Sequence, residues 1–252
     1  MMSVAPAYIE AIAKEFWSKI RRFRSQPPYD IAGAVSILLP LDIISLSELT
    51  LAGIDKWLND RGIRIPVALS DRHLHGFLLI RNGSGFMFIN GTDSEEERKY
   101  TIAHETSHFI LDYKIPRDTA IEKLGKDIGA VLDGIRPPTV HEQVNGLIKE
   151  VSLDTFTHLL EKEGDGSFES FKVFNAENSA DLLALELLAP FSEVMKVVQD
   201  GKRKIPFEVF DQQCLDLLVS VYKLPHPIAR QYSKRLAYLT TGGPSILSKL
   251  GF

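Results

Sequence analysis

The chain has 252 residues, 44% hydrophobic and 25% charged, the composition of an ordinary globular protein that can bury a core without disulfides. A formal net charge of −4 excludes a broadly basic nucleic-acid coat, though a local basic patch stays possible. The single cysteine, Cys214, excludes an internal disulfide and a Cys-rich zinc ribbon, so any metal must be held mainly by His, Asp and Glu.

The first residues lack a basic stretch followed by an apolar one, so no secretory signal is expected. The longest apolar stretch, Ile31 to Leu46, is interrupted by Pro40 and Asp42 and is too short to span a bilayer. A cytoplasmic location without membrane association is the resulting expectation.

Apolar residues Ile9, Ile12, Phe16, Ile20 and Phe23 recur at helical spacing and predict an amphipathic helix over 5–24, stopped by Pro27 and Pro28. Two further helices are expected at 30–38 and 47–60. The runs Phe77 to Ile80 and Phe86 to Ile89 flank Asn82-Gly83, the signature of a β-hairpin. Ser94 and Glu97 form a capping-box pair that opens a helix over 95–113. Residues 117–150 read as mostly helical, with a break at Gly134 to Thr139. Phe156 to Glu161 and Phe168 to Phe174 flank a turn-rich stretch and suggest a second hairpin. A helix over 176–188 ends before Pro190, and the tail holds two or three helices interrupted near Pro225-His226-Pro227. The sum is a mainly helical α+β domain with a small sheet.

Within the 95–113 helix lies His104-Glu105-Thr106-Ser107-His108, an H-E-x-x-H motif. Residues four apart differ by about 40° around a helix axis and ~6 Å along it, so both imidazoles leave one face. That spacing suits two nitrogen ligands of one zinc ion, with Glu105 beside the metal to take a proton from water. The bland alternative is a surface helix with two solvated histidines. The apolar flanks Ile102, Ala103, Phe109, Ile110 and Leu111 argue for burial, and buried histidines need partners.

A catalytic zinc takes three protein ligands and keeps one position for water. A third histidine six residues on is absent, because Leu111 and Lys114 occupy the relevant places. Asp112 is one candidate third ligand. Glu177 is the stronger one: it shares a helix face with Asp181, opposite Leu182, Leu183, Leu187 and Leu188. With Glu177 on the metal, Asp181 would hold the far nitrogen of a histidine. A solvated, acidic helix start would look similar.

The runs FINGTDSEEERKYTIAHETSHFILDY (88–113) and ENSADLLALELLAP (177–190) resemble the ImmA/IrrE family of metallopeptidases. The resemblance implies a zincin-like fold with His104, His108 and Glu177 as metal ligands, Glu105 as catalytic glutamate and Asp181 behind a ligating histidine. It implies Zn²⁺ as cofactor, with Mn²⁺ as a substitute. It also implies a helix-turn-helix transcriptional repressor as substrate, cleaved to relieve a stress, DNA-damage or phage-defence operon, with DNA as a candidate activator. A non-catalytic, zinc-containing regulator acting by partner binding is the competing expectation.

The expected organisation is one metallopeptidase domain over 1–252. It comprises an N-terminal helix (1–29), a core (30–113 and 173–190), an inserted subdomain (114–172) and C-terminal helices (191–252). The 68 residues between His108 and Glu177 exceed the few tens usual in the family, and the 62 after Pro190 leave no space for a sensor domain. His73, His75, His141, His158 and His226 read as structural. One of them, or Tyr100 or Tyr113, is left as the donor to a developing oxyanion. Cys214 reads as a core residue, and a zinc-blocking thiolate is the remoter option. The basic groups Lys19-Arg21-Arg22-Arg24 and Lys202-Arg203-Lys204 read as solvated faces.

Overall fold

The computed structural model describes residues 4–65, 72–139, 142, 155–161, 171–199 and 205–244. The chain divides into two compact units, Met1–Ile31 with Leu182–Phe252, and Ala32–Asp181. Among the described residues no helix is long and apolar enough to cross a membrane.

The second unit holds the sheet. Helix α2 (Ile31–Leu38) leads into β1 (Leu41–Leu46), then α3 (Leu51–Asn59), β2 (Leu74–Arg81), β3 (Ser84–Asn90) and α4 (Glu95–His108). A π-helical turn, Phe109–Lys114, continues into α5 (Ile115–Leu124), and α6 (Gly129–Leu132) follows. Strand β4 (Thr155–Glu161) comes next, and α7 (Phe171–Leu188) starts in this unit and runs across the division.

The strand order is β1-β3-β2-β4, with β1 parallel to β3 and the other pairs antiparallel. The β2–β3 turn places Asn82 and Gly83 at φ 53° and 83°, the left-handed pair that a two-residue hairpin requires. Alternation along β2 divides its side chains between two faces. Phe77 and Leu79 join Leu51, Ile54 and Leu58 of α3 in an apolar cluster, while the backbone at Gly76 meets Thr101 and Glu105 of α4. The sheet therefore lies between α3 and α4.

Helix α4 begins as its sequence dictates. Ser94 Oγ accepts from the Glu97 amide at 3.2 Å, and the Glu97 carboxylate accepts from the Ser94 amide at 2.9 Å. Glu95, Glu96 and Glu97 occupy its positive first turn. From Tyr100 to His108 every residue is buried, so the chemistry-bearing half of the helix lies inside the protein.

The other unit contains α1 (Ala7–Ser18), α8 (Phe191–Val198), α9 (Phe207–Ser220), α10 (His226–Thr241) and the C-terminal part of α7. The carbonyls at the end of α7 have no partners within the helix. Trp17 Nε1 donates to Leu187 O and Tyr232 Oη to Ala189 O, each at 3.2 Å. Cys214 is wholly buried, and burial, with Asp211 nearby, pushes its thiol up to about 12. It is a core thiol, not a thiolate. Arg24 of the first basic group pairs with Glu193, and Lys19 with Glu15 at 2.6 Å; Lys202 to Lys204 lie outside the described residues.

Several expectations need correction. The first helix stops at Ser18, Ile20 leaves the helical region at φ −149° and ψ 57°, and only a 3₁₀ turn follows at Arg21–Arg24. Strand β1 occupies a stretch read only as apolar, and the helix expected at 47–60 is α3, Leu51–Asn59. The described residues of the expected second hairpin do not pair with each other: β4 pairs with β2 instead, Phe171–Leu188 is helical, and 168–170 lie outside the described residues. Helices expected at 140–141 and 143–150 lie outside the described residues. The interruption expected near Pro225-His226-Pro227 is present between α9 and α10, with Pro227 in the first turn of α10, where a missing N–H costs nothing.

Candidate metal centre

Two elements supply the motif residues and their partner. Helix α4 presents His104, Glu105 and His108 on its buried half, and α7 presents Glu177 and Asp181 one turn apart. The structure brings all five together within the sheet-containing unit. His104 Nε2 and His108 Nε2 lie 3.1 Å apart, and Glu177 Oε2 lies 3.4 Å from the first and 3.5 Å from the second.

Ligand atoms at the corners of a tetrahedron with bonds of about 2.0–2.1 Å are separated by about 3.3–3.4 Å. The three observed spacings fall around that value, so this donor set fits a zinc-sized ion. Among the described residues one group of side chains can close on a metal: His104, His108, His158 and Glu177, with donor atoms within 4.8 Å of one another.

The far sides of the imidazoles are also held. His104 Nδ1 faces Asp181 Oδ1 at 3.0 Å, and the same oxygen accepts from Tyr100 Oη at 2.7 Å. His108 Nδ1 faces Asp112 Oδ2 at 2.6 Å. A carboxylate behind each Nδ1 fixes the proton there and turns the Nε2 lone pair toward the shared point. Asp112, weighed as a ligand from sequence, instead stands behind one. Tyr100 is occupied with Asp181, and the Tyr113 hydroxyl accepts from the Gly83 amide at 2.9 Å, bracing the hairpin turn.

His158, read as structural, is brought into the centre by β4. Its Nδ1 lies 2.9 Å from Glu105 Oε2 and its Nε2 lies 3.0 Å from Glu177 Oε1. No spacing rule links it to its partners, which lie 53 and 19 residues away. The available signal is a lone imidazole two residues after Phe156 in a run that reads as a strand. Of the remaining histidines, His75 Nδ1 contacts the buried Asp93 at 2.6 Å, His73 makes an isolated bridge to Thr50, and His141 lies outside the described residues.

The electrostatics follow from this crowding. Burial works against a charged His104, but hydrogen bonds to Asp181 and Glu177 outweigh it and lift its pKa to about 9. Burial likewise opposes a charged His158, which the charge and hydrogen bond of Glu105, then Glu177, lift to about 10. Burial would raise the pKa of Glu177, yet hydrogen bonds from His104, His108 and His158 hold it well below the carboxylate range. Glu105 is lowered too: burial is overcome by the charge and hydrogen bond of His158. Both acids are thus carboxylates, the form that metal binding and base catalysis require.

Glu105 Oε1 is wholly buried and, among the described residues, has no hydrogen-bond partner. Such an oxygen is costly to bury unless something donates to it. It lies against Gly76 of β2, while Oε2 of the same carboxylate faces His158.

Comparison with curated proteins and with solved structures finds no match. A family model does match: residues 60–127 correspond to the IrrE N-terminal-like domain of the M78 peptidases. The match spans β2, β3, α4, the π turn and α5, with the H-E-x-x-H motif inside it, while His158 and Glu177 lie beyond it. Over residues 60–127, about a quarter of the chain, the protein is similar to the ImmA/IrrE family of peptidases.

Proposed function

We propose that the chain is a zinc-dependent endopeptidase in which His104, His108 and Glu177 hold the metal and Glu105 is the general base. One observation carries this reading. Two imidazole nitrogens and a carboxylate oxygen converge at tetrahedral spacing, with the buried carboxylate of Glu105 joined to the cluster through His158.

A zinc ion held by these residues would supply Lewis-acid polarisation of a water molecule and of the scissile carbonyl. The protein supplies the rest. Asp181, with Tyr100 behind it, orients His104, and Asp112 orients His108. Glu105 accepts the proton that the attacking water loses and returns it to the leaving amine when the peptide bond breaks. Its burial favours this: a fixed carboxylate in a water-poor site needs little reorganisation as charge moves.

The proposed substrate is a helix-turn-helix transcriptional repressor in the cytoplasm, cleaved to relieve a stress or phage-defence operon, with DNA as an activator. This part rests on the family resemblance of the two motifs. Incubating the zinc-loaded chain with such a repressor, with and without single-stranded DNA, tests it by mass spectrometry. Discrete fragments from the wild type and none from Glu105→Gln support the reading. Repressor relief that survives Glu105→Gln in cells contradicts it and favours regulation by binding alone.

A further inference from the structure

His158 reaches the centre from β4, outside the stretch that the family model matches. It has two possible places there: as a fourth metal ligand, closing the site, or behind the ligands. The ring geometry separates them. An imidazole bound through Nε2 sets its ring centre about 3.2 Å from a zinc ion, so two rings at the tetrahedral angle have centres about 5.2 Å apart. His104 and His108 fit that arrangement at 4.8 Å with ring planes at 65°. His158 lies 3.5 Å from His108, stacked at 21°. Two ligand rings that close would subtend roughly 66° at the metal, far from tetrahedral.

Both nitrogens of His158 are moreover engaged by carboxylates, Glu105 Oε2 on one side and Glu177 Oε1 on the other. Each carboxylate is left with one oxygen outside this bridge. For Glu177 it is Oε2, the atom facing the two histidines; for Glu105 it is Oε1, which has no partner among the described residues.

We propose that His158 is a positioning residue that clamps Glu105 to Glu177, restricting Glu177 to one metal-facing oxygen and holding the Glu105 carboxylate at a fixed distance from it. The proposal rests on the metallopeptidase reading and extends it to a residue of this chain that the matched domain does not contain. Its physical basis is the fixed length of an imidazole. A rigid ring with donors at opposite ends holds two carboxylates at one separation, whereas two independent glutamates would each sample several rotamers.

The test uses the full chain loaded with cobalt(II), which reports its coordination. Hyperfine-shifted imidazole N–H signals count the ligated histidines in the wild type, and the clamp predicts two. In His158→Ala the count stays at two, while the visible bands weaken as the released Glu177 carboxylate binds through both oxygens. Zinc affinity, measured by chelator competition, falls about 10- to 100-fold, the usual cost of losing an outer partner of a metal ligand. His158→Gln, which keeps one donor, recovers part of the loss.

Three shifted N–H signals in the wild type would make His158 a ligand and overturn the clamp, without any variant having to fold. A His158→Ala protein with unchanged spectrum and affinity would overturn it as well. Both outcomes leave the metallopeptidase reading standing. Failure of the wild type to bind cobalt or zinc would overturn reading and clamp together.

Discussion

A Cβ atom added at Gly76 of β2 would stand 2.7 Å from Glu105 Oε1 of α4, and equally close to Thr101 Cγ2. The sheet thus makes room for the glutamate's free oxygen by omitting a side chain. Gly76→Ala should displace Glu105 from its place between sheet and helix. Overpacking of this kind costs about 1–3 kcal/mol, and misplacing a reacting group by about 1 Å costs around 100-fold in rate. The expected protein is folded, binds zinc and has a strongly reduced kcat, measurable by thermal unfolding and fragment formation.

Glu105→Gln removes the base without removing a metal ligand. Cleavage should fall by about 10²–10⁴-fold, the usual contribution of a positioned general base, with zinc content unchanged. Metal analysis of the purified variant beside a cleavage time course checks both halves.

Asp181 and Asp112 act on the metal through His104 and His108. Asp181→Asn and Asp112→Asn should each weaken zinc binding by about 10- to 100-fold in chelator competition. Tyr100→Phe removes only the hydrogen bond behind Asp181 and should have a smaller effect in the same direction. Equal losses for Tyr100→Phe and Asp181→Asn would show that the tyrosine acts on more than Asp181.

Far along the same helix α7, Glu186 makes a prediction about stability and pH. Burial raises its pKa from 4.5 to about 7, although it accepts from the Phe191 amide, an otherwise unpaired donor at the start of α8. Below about pH 4.5 the group is protonated in folded and unfolded chains alike. Between 4.5 and 7 the unfolded chain releases the proton first, so stability falls as pH rises and then levels off. The full difference is about 3 kcal/mol. Glu186→Gln keeps an acceptor and removes the charge, so denaturation at pH 5 and pH 8 should show this decline in the wild type and its absence in the variant.

Much of the centre was legible because its signals are local. Asn82-Gly83, the Ser94/Glu97 box, the i, i+4 histidines and the Glu177/Asp181 pair each lie within a few residues, and the structure reproduces the corresponding turn, cap and helix faces. What was hidden depends on pairing at long range. Strand β4 finds its partner in β2 rather than in the adjacent chain, so the neighbouring run of 168–174 was read as a strand although Phe171 onward is helical. His158 was missed for the same reason: it contacts the motif only because β4 aligns it with Leu78 beside α4. Asp112 was only a second candidate for third ligand, and angular position on a regular helix could not show that a π turn follows His108 and leaves Asp112 on its Nδ1 side.

Zinc stoichiometry after equilibrium dialysis tests most directly that these residues form a metal centre with Glu105 outside the ligand set. The account predicts one zinc ion per chain in the wild type and in Glu105→Gln, and none retained by His104→Ala or Glu177→Ala. A wild type without stoichiometric zinc, or a Glu177→Ala protein that keeps it as tightly, would contradict the account.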